Sequence, residues 1–148
     1  MISPDVNVVI AASRTDHPQH RVALTWLKHT LAGSETNGGI EILPVVAASY
    51  LRLVTNPKIF REPTPLVDAI AFVDRLLAHD GVSMSEMGIA EWNACRQLCL
   101  DKNLSANAVP DTFIAASARV LGAKLTTFDR GFEALLPPSD LELLVPAR

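Results

Sequence analysis

Three aspartates stand where secondary-structure elements of this sequence are expected to begin or end. Asp5 ends a short apolar stretch, Asp111 follows Pro110 at the start of a helical pattern, and Asp129 follows an apolar strand pattern. Carboxylates gathered at one place repel one another unless a cation lies between them. They are also the hard oxygen ligands that Mg²⁺ and Mn²⁺ prefer, and a bound divalent cation activates water and holds phosphate. The pattern therefore predicts metal-assisted phosphodiester hydrolysis.

Each aspartate also has a purely structural interpretation. Asp111 is explained equally well as a residue that caps a helix and interacts with its dipole. Asp129, before Arg130 and Gly131, is explained as a turn residue, and Asp5, two residues before Asn7, as part of an Asx turn. These interpretations stay open for each residue alone. The predicted convergence of all three at one sheet edge favours a site.

The segment from Val109 to Asp129 predicts one helix followed by one strand. Pro110 suits the first helical turn because its missing N–H would be unpaired there, and Gly122 is the usual residue just past a helix end. We therefore expect a helix over 110–121. A helix that returns into a parallel strand brings its start near the carboxyl end of that strand, which is where ligands bind in open α/β sheets.

The rest of the chain alternates strand and helix patterns. We expect strands ending at about Asp5 and over 40–43, 82–84 and 141–145; helices over 7–12, from His17-Pro18 to Leu31, and over 44–54, 65–79, 89–100 and 130–136; and loops over 33–39 and 104–108. Pro4 cannot donate to a strand ladder, so it is expected at the edge of pairing. This alternation predicts an α/β sandwich with a mainly parallel sheet.

Composition limits the class of protein. The chain has 148 residues, of which 49% are hydrophobic, and this suits one domain over 1–148 with a well-filled core. The net charge of −3 gives no global basic footprint for nucleic acid, although a local basic rim is compatible with it. Two cysteines, Cys95 and Cys99, lack zinc-site spacing and are expected as buried apolar side chains in a reducing cytosol. No stretch predicts a leader or membrane span, so we expect a cytoplasmic protein.

Four segments occur in a characteristic order: DVNVVIA at 5–11, LRLVTNP at 51–57, PDTFIAA at 110–116 and TFDRGF at 127–132. Together they resemble the ordered motifs of PIN-domain ribonucleases, and most closely those of the VapC toxins of bacterial type II toxin–antitoxin pairs. The resemblance spans nearly the whole chain. It implies a PIN-like α/β/α sandwich and a magnesium-dependent endoribonuclease toxin, with Mn²⁺ able to substitute, that cleaves structured RNA such as tRNA or rRNA.

The resemblance also implies roles and partners. Asp5, Asp111 and Asp129 become the catalytic and metal-binding residues. Asn7 becomes a supporting residue that orients a metal-binding carboxylate, and Asn107 a residue of similar role. The implied partners are an RNA substrate, a cognate antitoxin that neutralises the activity, a second copy of the chain, and operator DNA reached only through the antitoxin. No membrane partner is implied.

One position departs from the family pattern. Where PIN domains commonly carry a fourth acid, in the helix before the LRLVTNP segment, the aligned residue is Ser49. A hydroxyl is a poor metal ligand and supplies no charge, so a second cation would bind weakly. Three explanations stay open: one metal suffices, an acid such as Glu86 or Glu91 arrives from elsewhere, or activity is reduced.

Arg52 is the cation that we expect to contact RNA, together with Thr55. It lies between two leucines on a predicted helix, and arginine contacts to phosphate would position RNA without reading its sequence. A buried salt bridge to an acid of the cluster is the rival explanation for Arg52.

Two other functions compete with the nuclease. A degenerate PIN module that binds RNA or protein is favoured by Ser49. Another magnesium enzyme is less compatible with the sequence: a haloacid-type phosphatase needs an aspartate where Asn7 stands, and a receiver domain needs paired acids near the first strand and a late lysine.

Overall fold

The computed structural model describes all residues from Met1 to Arg148. The strands are β1 (Ile2–Pro4), β2 (Ile40–Ile42), β3 (Val82–Met84), β4 (Lys124–Thr127) and β5 (Leu141–Leu143). The helices are α1 (Val6–Ser13), α2 (His20–Ala32), α3 (Ser34–Asn37), α4 (Pro44–Val54), α5 (Leu66–Leu77), α6 (Ile89–Lys102) and α7 (Val109–Leu121), with 3₁₀ turns at Ala106–Ala108, Arg130–Ala134 and Pro138–Asp140.

The five strands form one sheet in the order β3-β2-β1-β4-β5, and every neighbouring pair is parallel. Helices cover both faces, and each face has its own apolar core. Helix α1 contributes to both cores: Ile10 packs into one, whereas Val8 and Ala11 pack into the other. The predicted α/β/α sandwich with a parallel sheet is therefore confirmed.

The segment from α7 to β4 forms as its proline and glycine predict. Pro110 lies in the first turn of α7, and Gly122 follows the helix in the left-handed region with φ of 68°. A glycine adopts this conformation without the steric cost that a Cβ imposes. The chain then reverses into β4, whose end lies beside the end of β1, so the start of α7 and the ends of both strands meet at one edge.

Several element boundaries differ from the predictions. Helix α2 begins at His20, not at His17-Pro18, because the His17 Nδ1 atom accepts a hydrogen bond from the Gln19 N–H at 3.0 Å and holds a turn there. The predicted loop 33–39 contains the single helical turn α3, the last strand ends at Leu143, and the segment after Asp129 is a 3₁₀ turn. Hydrophobic periodicity alone does not locate these boundaries.

Pro4 lies on the central strand, which the sequence does not predict. It occupies the last position of β1, in register with Thr126 of β4. The ladder continues from the next residue, because the Asp5 N–H donates to the Thr126 carbonyl at 2.9 Å. The missing N–H of proline therefore interrupts pairing only where the strand ends.

Both cysteines are free thiols, Cys95 buried and Cys99 half-buried. None of the helices combines the length and the apolar character that a bilayer span requires.

Candidate active site

Asp5 joins the end of β1 to the start of α1. Its Oδ1 atom accepts a hydrogen bond from the Val6 N–H at 2.7 Å, which caps the helix, and its Oδ2 atom accepts one from the Thr127 hydroxyl at 2.8 Å. The residue is buried, with 5% of its surface exposed. The sequence was compatible with an Asx turn at Asp5, and the structure shows instead that Asp5 caps α1, with its carboxylate at the carboxyl edge of the sheet.

Asp129 and Asp111 reach the same edge from β4 and α7. Asp129 follows β4, and its Oδ1 atom accepts a hydrogen bond from the Gly131 N–H at 2.7 Å. A side chain at position 131 would crowd this carboxylate, since a Cβ there would lie 3.0 Å from Oδ1. Asp111 is half-buried in the first turn of α7, and its side chain makes no hydrogen bond within the chain, so it does not cap the helix through one. Its carboxylate is the one that is free to adjust to a ligand.

The three aspartates line one open cleft of about 260 Å³, which we call the acidic cleft. The remaining lining residues come from α1, α4 and α7: Val6, Asn7, Ile10, Ser49, Arg52, Leu53, Pro110 and Ile114. The predicted convergence is therefore observed. No three His, Cys, Asp or Glu side chains of the chain stand in a ready-made metal-binding arrangement, so a cation would have to draw these carboxylates closer together.

The electrostatics of the acidic cleft are those of an uncompensated anionic cluster. Burial raises the pKa of Asp5 to about 6, hydrogen bonds from Thr127 and Val6 oppose the rise, and the charges of Asp111 and Asp129 add to it. Burial, and then the charge of Asp129, raises the pKa of Asp111. Neither of the two ion pairs in the chain involves these residues. Hard anionic oxygens without a cationic partner fit a divalent metal ion.

Thr127 has a role in this cluster that sequence reasoning missed. Its side chain is fully buried, and its hydroxyl donates to Asp5 Oδ2 while accepting from Asn7 Nδ2 at 3.0 Å and from the Asp129 N–H at 3.0 Å. One hydroxyl thereby fixes Asp5, Asn7 and the start of the Asp129 turn. The residue lies in the TFDRGF segment, but only the register of β1 against β4 shows that it faces Asp5.

Asn7 supports the site indirectly. Its amide donates to the Thr127 hydroxyl and its Oδ1 atom accepts from the Phe128 N–H at 3.2 Å. The expected direct hydrogen bond from Asn7 to a metal-binding carboxylate is wrong; the contact passes through Thr127. Both hydrogen bonds tie the start of α1 to the end of β4, which keeps the two strand ends together.

Arg52 is exposed, lines the acidic cleft and belongs to no ion pair. Its rival explanation as a buried salt bridge is therefore wrong. The Thr55 hydroxyl donates to the Leu51 carbonyl at 2.7 Å, within its own helix, and Thr55 does not line the cleft. Asn107 is exposed on a 3₁₀ turn and is also outside the cleft lining. The structure thus places Arg52 at the site but not Thr55 or Asn107.

Ser49 faces the acidic cleft from α4, so the substituted position does belong to the site. No acid replaces it from elsewhere. Glu86 is exposed before α6, and the Glu91 carboxylate accepts a hydrogen bond from the Gly88 N–H at 2.7 Å, which caps α6. Neither glutamate lines the cleft. The α4 wall therefore presents a hydroxyl and a guanidinium opposite the carboxylates.

The fold and the cleft together define an α/β protein with an acidic centre outside the carboxyl ends of a parallel sheet. The PIN domain family model matches residues 2–135. Because that match spans most of the sequence, the chain belongs to the PIN domain family and, by the relatives below, to its VapC ribonucleases.

Two named relatives agree with this placement. The chain is 35% identical to ribonuclease VapC25 of Mycobacterium tuberculosis over 128 residues, which cover 86% of this chain and 88% of that protein. It is 36% identical to ribonuclease VapC43 of the same organism over 133 residues, covering 89% of this chain and 88% of the relative.

Solved structures share the fold at low sequence identity. The complex VapBC2 from Rickettsia felis, bound to a DNA fragment from its promoter, aligns with a TM-score of 0.70 and 17% identity over 98% of this chain and 100% of the matched one. VapC20 of M. tuberculosis, described as a sarcin–ricin loop cleaving toxin, aligns with a TM-score of 0.63 and 15% identity over 90% and 94% of the two chains.

Proposed function

We propose that this protein is a divalent-metal-dependent endoribonuclease and the toxin of a toxin–antitoxin pair. The observation that carries the proposal is the acidic cleft, in which Asp5, Asp111 and Asp129 meet without a cationic partner. Its relatives are ribonucleases by name, which supports RNA as the substrate.

Asp5, Asp111 and Asp129 would hold Mg²⁺, with Mn²⁺ as a substitute. When bound, the cation supplies positive charge at a phosphate and lowers the pKa of water. Asp5 is held in place by Thr127 and Val6, whereas Asp111 is free to adjust. Since the α4 wall carries no carboxylate, we propose that one ion suffices.

The RNA backbone would enter between the carboxylates and the α4 wall. Arg52 is positioned to bind a phosphate there, because its guanidinium lines the cleft and has no acidic partner. We propose structured RNA such as tRNA or rRNA as the substrate, which would be recognised by shape and by unpaired loops. The description of VapC20 as a toxin that cleaves the sarcin–ricin loop supports this substrate class.

The proposed partner is a cognate antitoxin. The similar structures include complexes named VapBC and FitAB, two of them with DNA, and this supports both an antitoxin and operator binding through it. We further propose that the protein forms a homodimer and acts in the cytoplasm.

Cleavage of total cellular RNA by the purified protein tests the function. We expect discrete Mg²⁺-dependent fragments that disappear with EDTA and with Asp5→Asn. The matched control is Asp74→Asn, which makes the same change on an exposed part of α5. Cleavage that persists unchanged in Asp5→Asn would contradict the proposal.

Ser49 supports one alternative, a PIN module that binds RNA or protein without cleaving it. A cleft wall without the fourth acid is the specific observation in its favour. If wild type and Asp5→Asn both bind RNA but neither cleaves it with Mg²⁺ or Mn²⁺, this alternative replaces the nuclease.

A further inference from the structure

A compact loop follows α4 and lies outside the acidic cleft. This α4–α5 loop, Thr55 to Thr64, is closed at its base because the Thr64 N–H donates to the Val54 carbonyl at 2.7 Å. Inside it, Asn56 Oδ1 accepts from the Lys58 N–H at 2.9 Å and the Asn56 carbonyl accepts from the Phe60 N–H at 3.1 Å. The loop therefore has its own hydrogen-bonded framework.

Arg14 fixes the α4–α5 loop to the end of α1. Only 8% of Arg14 is exposed. Its guanidinium donates to Thr64 Oγ1 and to the Glu62 carbonyl, both at 2.9 Å, and lies over the Phe60 ring at 3.9 Å from the centroid. Asp16 neutralises its charge through two hydrogen bonds of 2.7 and 3.0 Å. Arg14 thus holds the loop through contacts with Thr64, Glu62 and Phe60.

The loop presents two cations that this framework does not use. Lys58 and Arg61 are exposed, and neither belongs to an ion pair. Glu62 is the loop's one acid. Arg52, three residues before the loop begins, is equally unpaired and lines the acidic cleft. Three exposed cations without ion pairs therefore lie on the cleft wall and on the loop that follows it, in a chain whose net charge is −3.

The spacing between the cleft and the loop suits a nucleic-acid strand. Asp5 and Arg14 flank the eight residues of α1, which span about 12 Å at the rise of an α-helix. The base of the loop is anchored at Arg14, so this anchor lies roughly one helix length from Asp5. This distance corresponds to a few nucleotides along one strand.

We propose that the α4–α5 loop is a second RNA contact, in which Lys58 and Arg61 bind phosphates a few nucleotides from the cleaved bond. The proposal rests on the proposed ribonuclease function. The loop contributes affinity and orientation rather than chemistry, because it holds no group that reaches the acidic cleft. Cations carried on a fixed loop backbone bind phosphate with less loss of backbone freedom than cations on a mobile loop.

The test compares Lys58→Ala/Arg61→Ala with a control that removes two exposed cations of α6, Arg96→Ala/Lys102→Ala. Binding of a fluorescein-labelled oligouridylate is measured in EDTA by anisotropy at several salt concentrations. Each lost phosphate contact lowers the slope of log Kd against log salt by about 0.7 for a single strand, so we expect the loop variant to lose about 1.4 and bind roughly tenfold more weakly near physiological salt. The control is expected to match wild type.

A second arm measures cleavage of an RNA that wild type cuts. We expect the loop variant to raise KM several-fold and leave kcat unchanged. Equal affinity and salt slope in loop variant and control would overturn the proposal, and so would loss of antitoxin binding with RNA binding intact, which would make the loop a protein contact. If wild type cleaves no RNA, the proposed function fails, while the binding arm still decides the role of the loop.

Discussion

Helix α1 has a buried carboxylate, Asp5, at its start and a buried guanidinium, Arg14, at its end. The charges of these two residues are compensated differently. Asp5 shares the acidic cleft with two more carboxylates and none of the three forms an ion pair, whereas Arg14 is paired with Asp16. The pKa values report this difference: burial raises that of Asp5 to about 6, and the hydrogen bond from Arg14 lowers that of Asp16. The paired charge holds the α4–α5 loop against α1, whereas the unpaired carboxylates are the ones that we propose to bind a cation.

The largest effect is expected from removing the carboxylate of Asp111, which lines the acidic cleft and has no hydrogen-bonding role in the fold. Asp111→Asn breaks no side-chain hydrogen bond, because the Asp111 carboxylate accepts none within the chain. A metal contribution of several kcal/mol corresponds to roughly a hundredfold loss of kcat or more. The free energy of unfolding should change by less than about 1 kcal/mol, the usual size of a helix-dipole effect. RNA cleavage measures the loss of kcat, and urea unfolding measures the change in the free energy of unfolding. A strongly destabilised variant would show that Asp111 has a structural role.

At the other end of α1, the removal of Arg14 is expected to lower stability and not activity. Arg14→Ala leaves the Glu62 carbonyl and the Thr64 hydroxyl without their donor and removes packing on Phe60. We expect a loss of roughly 2 to 3 kcal/mol in the free energy of unfolding, below the usual cost for a fully buried pair because the Asp16 side chain is 62% exposed.

The control for Arg14 is Arg130→Ala, which removes an ion pair whose arginine side chain is 80% exposed. It should cost less than about 0.5 kcal/mol. Equal losses in the two variants would mean that the Arg14 cluster adds nothing beyond a surface ion pair.

Asp5 and Asp16, at the two ends of α1, are expected to change the stability in opposite directions as the pH falls. A carboxyl whose pKa is raised on folding, from 3.8 to about 6 for Asp5, holds its proton more tightly in the folded state. Its contribution therefore stabilises the protein as pH falls from about 7 toward 4, by about 2 kcal/mol in EDTA. Asp16, with a lowered pKa, contributes stability above pH 3.8 that is lost in more acidic solution.

The Asp5 contribution is isolated by subtracting the pH profile of Asp5→Asn. Subtraction matters because burial lowers the pKa of His17, which opposes stabilisation on acidification. A difference profile that is flat between pH 7 and 4 would show that Asp5 titrates normally in the folded protein.

A smaller effect is expected at Thr127. Thr127→Val keeps the shape but removes the hydroxyl that orients Asp5 and accepts from Asn7 and Asp129. Loss of a group that orients a metal-binding carboxylate typically costs 10- to 100-fold, and we expect roughly tenfold in kcat. Thr127→Ser should restore most of the activity. Wild-type activity in Thr127→Val, with the fold intact, would contradict a role for the hydroxyl.

The sequence predicted the acidic cleft better than the Arg14 cluster, and the reason is physical. Asp5, Asp111 and Asp129 follow local signals, namely an apolar strand end, a proline at a helix start and a strand before a turn. The role of Thr127 was not predicted because it depends on the register between β1 and β4. Arg14 was only one scattered cation in the sequence, since Thr64, Glu62 and Phe60 reach it across about 50 residues of chain.

The most direct test of the unbalanced cluster is calorimetric titration of the metal-free protein with Mn²⁺, in wild type and in Asp111→Asn. We expect saturable binding of one ion per chain in wild type and its loss, or a weakening of at least about tenfold, in the variant. The Asp74→Asn control should bind as wild type does. Equal binding in wild type and Asp111→Asn, or no binding in wild type, would contradict the claim that these three carboxylates form a metal centre.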